Sequence, residues 1–171
     1  MSITADVIPA GRLTLVPVRA GHAAEMADVL ADPDLYAFTG GSPPSGPDLR
    51  ARYERWLAGS PDPAVSWCNW VIQLHSPRCL AGTVQATISA DGDQQSAEVA
   101  WVIGTRWQGR GLATEAARAL VGWLRGQSVS TVVAHIHPCH LASAAVAAAA
   151  GLTPTADWHD GERRWQLRVT P

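Results

Sequence analysis

Between Leu80 and Ala90 the side chains alternate, Val84, Ala86 and Ile88 against Thr83, Gln85, Thr87 and Ser89. A period of two predicts a strand with one buried face. Comparable runs predict strands over Arg12–Val18, Ser66–His75, Ser96–Ile103 and Thr131–His137. A last hairpin, Thr155–Trp158 with Arg164–Val169, turns at Asp160-Gly161. Leu112, Ala116, Leu120, Trp123 and Leu124 instead share one face of a helix over Gly111–Leu124. Helices are also predicted over Gly21–Leu30, over Asp48–Leu57 (opened by Ser45-Gly46-Pro47 and stopped at Gly59) and over Leu141–Ala150, stopped at Gly151. Asp32–Pro47, rich in Gly, Pro and Ser, reads as a loop with one short helical turn at Pro33–Phe38. With no repeat and no internal linker, the expectation is one α/β (α+β) domain over residues 1–171, with about seven strands and four helices.

Composition narrows the function classes. A net charge of −2, with acids and arginines interspersed, gives no basic field, so nucleic acid is not expected as a partner. Three cysteines (Cys68, Cys79, Cys139) make no disulfide framework and fit a reducing cytosol. The longest run of small apolar residues, Ala144–Leu152, is too short to cross a bilayer, and no signal-like segment opens the chain. The expectation is a cytoplasmic protein with no membrane partner. The chain contains no lysine, which removes Schiff-base chemistry, pyridoxal phosphate attachment and the P-loop lysine.

The densest chemistry lies at a strand-to-helix junction, Gln108-Gly109-Arg110-Gly111-Leu112-Ala113-Thr114. Glycines there let backbone N–H groups turn outward, and a helix N-terminus adds partial positive charge, so the site suits phosphate. Three readings compete. A dinucleotide fold would want a third glycine where Thr114 stands and an acidic residue where the next strand ends in His137. A turn with no ligand is the plainest. The third reading is coenzyme A.

Gln108-Gly109-Arg110-Gly111-Leu112-Ala113 fits Q-x-x-G-x-A, and the chain here resembles the GNAT superfamily of N-acetyltransferases. His140-Leu141-Ala142-Ser143, with Val146 and Gly151-Leu152 behind it, is similar to that superfamily's second motif. Arg12–Val18 followed by Asp32-Pro33 resembles its RimJ/RimL-type branch. The resemblance implies a mixed, mostly antiparallel sheet whose fourth and fifth strands, Ser96–Ile103 and Thr131–His137, splay apart. Acetyl-CoA would lie in the splay as co-substrate, its diphosphate on Gln108, Gly109, Arg110, Gly111, Leu112, Ala113 and Thr114. Its pantetheine arm would run along Trp101, Val102 and Ile103 towards His140 and Ser143. Arg106 offers further charge.

The resemblance also implies roles. Glu98, on the fourth strand, would be the base. Ser143 would protonate or hold the departing thiolate, since Ala147 stands where many members carry a tyrosine. His140 replaces an asparagine that contacts pantetheine, and could itself act as base. The oxyanion would meet a backbone N–H near Val102. His135 and His137 share a strand face, but no second ligand cluster accompanies them, so no metal is expected. Cys139 as a nucleophile is a minor alternative. The acceptor, a small-molecule amine or a peptide N-terminus, would meet Tyr36, Phe38, Tyr53, Trp56, Asp157, Trp158, His159, Asp160 and Glu162. A CoA-binding module without turnover and a transferase with another acyl donor remain alternatives, and a homodimer is left open.

Overall fold

A computed structural model describes residues 2–169; Met1, Thr170 and Pro171, at the ends of the expected domain, lie outside the described residues. The strands are β1 (Ile8–Pro9), β2 (Leu13–Pro17), β3 (Val65–His75), β4 (Arg78–Asp91), β5 (Gln94–Ile103), β6 (Thr131–Ile136), β7 (Thr153–His159) and β8 (Glu162–Arg168). The helices are α1 (Ala23–Val29), α2 (Gly46–Ala58), α3 (Leu112–Gly126) and α4 (Leu141–Ala149). The strands form one sheet in the order β1-β2-β3-β4-β5-β6-β8-β7. Every neighbouring pair is antiparallel except β5 and β6. The eighth strand is the two-residue β1, too short for periodicity to reveal; it exists because Ile8 pairs opposite Leu15.

Alternation in β4 does what its pattern predicts. Val84, Ala86 and Ile88 are buried on one face, against the helix pair α3 and α4. The α3 stripe of Leu112, Ala116, Leu120, Val121 and Leu124 packs there with Val99, Val132, Ala134 and Ile136. A second apolar cluster covers part of the other face, where Met26 and Val29 of α1 and Leu49 and Tyr53 of α2 meet Val71 and Leu80. The sheet is therefore sandwiched, α1 and α2 on one side, α3 and α4 on the other.

The parallel pair is short. β5 and β6 are in register only at Ser96 with Thr131, Ala97 with Val132 and Glu98 with Val133. Beyond Glu98, β5 continues beside β4 as far as Ile103, while β6 continues beside β8. The two strands part, and the middle of the sheet opens.

Candidate active site

The parting exposes strand edges whose identity follows from hydrogen-bond alternation. Gly104 N–H donates to the Ala81 carbonyl (2.8 Å), which makes Val102 and Ala100 the residues that bond β4. On the other side, Ser130 N–H donates to the Gln95 carbonyl (2.9 Å), in the same phase. The groups facing the gap thus belong to Val99, Trp101 and Ile103. The Val102 N–H is turned to Thr83, and the gap-facing amide beside it is that of Trp101. The Ile103 carbonyl accepts from Gln108 Nε2 (3.0 Å), so the Gln108 side chain pins the loop to the strand end.

The phosphate loop has the geometry its glycines suggest. Gly109 and Gly111 sit in the left-handed region, at φ 76° and 75°. Gly111 is the N-cap of α3 and offers no side-chain acceptor, and the first intrahelical bond is from Glu115 N–H to the Gly111 carbonyl (3.1 Å). The N–H groups of Leu112, Ala113 and Thr114 are left as donors at the positive end of a 15-residue helix. Glu115 accepts from Arg12 N–H (2.6 Å) and Arg12 Nε (2.8 Å). Burial pushes the Glu115 carboxyl up, but those bonds and the Arg12 charge outweigh it and hold the group below its usual value. Arg12 thereby balances the one acid in this helix's first turn, and its guanidinium lies beside Gly111.

One cavity of about 760 Å³ runs from this loop through the gap to the α1–α2 side of the sheet. Of the expected cofactor residues, Trp101, Val102, Ile103, Gln108, Gly109, Gly111, Leu112, Ala113, Thr114, His140 and Ser143 line it; Arg110 does not. Glu98 does not line it either. Its side chain is 59% exposed and accepts from or faces His135 Nδ1 at 2.9 Å, whereas His135 is 15% exposed and lines the cavity. Arg106 stacks over Trp107 (5.4 Å to the ring centroid), outside this cavity.

His140 is the N-cap of α4. Its Nδ1 accepts from Ser143 N–H (3.3 Å), and its Nε2 lies 3.1 Å from Ser143 Oγ. A ring that accepts at Nδ1 carries its proton on Nε2, so His140 donates to Ser143 Oγ and leaves the serine O–H free to point elsewhere. Burial, with the nearby His137, keeps His140 below the ordinary histidine value and so favours this neutral ring. Phe38 stacks on the same imidazole (4.5 Å between centroids).

On the α1–α2 side Tyr36, Phe38, Tyr53, Trp56 and Glu162 line the cavity; Asp157, Trp158, His159 and Asp160 do not. Asp34, Arg52, Thr83, Gln85 and His135 line it without having been singled out as acceptor contacts. Tyr36 O–H donates to the Leu30 carbonyl (3.1 Å), while the Tyr53 hydroxyl is buried without a partner, and burial raises it to about 12. Among the described residues no three His, Cys, Asp or Glu side chains converge as a metal site, and no helix is long and apolar enough to cross a membrane.

The family model described as "Acetyltransferase (GNAT) domain" matches residues 12–153. The ribosomal-protein-S5-alanine acetyltransferase from Vibrio fischeri superposes with a TM-score of 0.79 at 14% identity, over 96% of this chain and 97% of that one. The spermidine N-acetyltransferase from Vibrio cholerae, in complex with CoA and spermine, gives 0.74 at 16% identity, over 92% and 96%. An acetyltransferase from Agrobacterium tumefaciens gives 0.72 at 25% identity, over 98% and 97%. No curated protein matches the sequence.

Proposed function

The chain belongs to the GNAT acetyltransferase family, and we propose that it is a single-domain, cytoplasmic N-acetyltransferase of the RimJ/RimL-type branch. It moves an acetyl group from acetyl-CoA directly to a primary amine in a ternary complex. The observation that carries this reading is the continuity of one cavity, with helix-end donors at one mouth and an aromatic, mixed-charge mouth opposite. The diphosphate lies on the N–H groups of Leu112, Ala113 and Thr114. The pantetheine arm runs as an added strand along Val99 and Trp101, and the thioester ends beside Trp101 and Ser143. The free Ser143 O–H then serves the departing sulfur.

The acceptor enters from α1 and α2. Aromatic walls from Tyr36, Tyr53 and Trp56, with Asp34 and Glu162, favour a small amine or a peptide N-terminus of low charge; Arg52 disfavours a polycation. Titration calorimetry with CoA tests the donor half. Binding is expected, and its loss in Gly111→Glu, which sets a carboxylate and a strained φ against the diphosphate, is the second expected result. Absence of heat with CoA in the parent protein would overturn the reading. A free-thiol assay with acetyl-CoA and a panel of alkyl amines, aryl amines and dipeptides then identifies the acceptor class.

A further inference from the structure

Glu98 and His135 come together for a reason of register. Glu98 is the last β5 residue paired to β6, opposite Val133. Val133 and His135 project to the same side of β6, as does Glu98 from β5. His135 therefore sits one step past the fork, on the face that carries Ala100 and Val102 into the cavity. Its Nδ1 faces Glu98 Oε1 at 2.9 Å, its side chain is 15% exposed, and its Nε2 has no partner among the described residues.

We propose that His135 Nε2 is the general base that deprotonates the acceptor amine, with Glu98 as a positioning residue that holds the proton on Nδ1. This rests on the acetyltransferase reading above. An exposed carboxylate–imidazole pair contributes little to stability, but the carboxylate selects the tautomer, which decides whether the cavity meets a donor or an acceptor. Glu98 itself is outside the cavity and reaches it only through the ring.

The step balances. His135 Nε2 takes one proton from R–NH₃⁺. The nitrogen lone pair forms the C–N bond at the thioester carbon, and the C–S bond breaks with its electrons going to sulfur. The second nitrogen proton ends on sulfur by way of the Ser143 hydroxyl, giving amide, CoA thiol and an imidazolium that releases its proton to solvent. The charged or titratable groups around the ring are Glu98 on β5, His137 on β6, His159 on β7 (5.2 Å between centroids) and Arg164, directly opposite on β8, with Glu162 two residues from it.

Nitrogen NMR of histidine-labelled protein reads the tautomer without needing an acceptor. Wild type should show His135 protonated on Nδ1 with a bare Nε2 at alkaline pH, and Glu98→Ala should shift it towards Nε2–H. An Nε2–H ring in wild type would overturn the proposal. In the thiol assay, with the best amine of the panel, His135→Gln should lower kcat at least 100-fold at neutral pH, with calorimetric CoA affinity unchanged. Glu98→Ala should lower kcat about 10-fold, and Glu98→Asp should partly restore it together with the Nδ1–H tautomer. A His135→Gln enzyme with a parental pH profile also overturns the proposal. CoA heat separates the two readings: if binding persists while these effects are missing, His135 is excluded and the family reading stands.

Discussion

At the scale of single residues, His140 joins two tasks that its neighbours could not share. It caps α4 through Nδ1, which requires the neutral ring, and orients Ser143 through Nε2–H. Burial and His137 hold its folded pKa below the ordinary value. Its contribution to stability is therefore complete above the unfolded value of about 6.5 and is lost as pH falls from there through the lower folded value. Asparagine would keep a cap without titrating. His140→Asn is thus expected to lose less stability than the parent between about pH 7 and pH 5, by urea midpoints. His22, also lowered by burial, is common to both proteins and cancels in the difference. Identical slopes would remove this role from His140.

Strands and helices show what was legible beforehand and what was not. Thr83–Ser89 could be read because its period survives in the fold, and the glycines around Arg110 because a left-handed turn has few other solutions. Glu98 was visible as an acid on the right strand, but its partner was not. His135 lies 37 positions away, and only the Glu98–Val133 register brings the two side chains together. The same limit hid the approach of β4 to β5 at Gly82. A Cβ there would fall 2.1 Å from the Val102 carbonyl oxygen and 3.1 Å from Ile103 Cα, both backbone. Gly82→Ala is expected to cost about 2–3 kcal/mol, lowering Tm by roughly 5–10 °C in calorimetry. An unchanged Tm would mean that β4 can shift without disturbing the fork.

For the molecule as a whole, donor binding and folding are linked, because the cavity walls come from the segment after α1 (residues 30–39), from α2, α3 and α4, and from the strands between them. CoA at 100 times its Kd should stabilise the native state by about 2.7 kcal/mol. For a chain of this length that corresponds to a Tm rise of roughly 5–10 °C. The shift should vanish in Gly111→Glu, and a shift retained there would place the ligand elsewhere.

The fork between β5 and β6 has a consequence for solubility. Two unsatisfied strand margins would ordinarily recruit a foreign chain and seed clumping. Here each is only a few residues long and faces the other across a slot roofed by helices. A guest must be slender and bring its own amide groups, and a bulky polypeptide ribbon is turned away at the door.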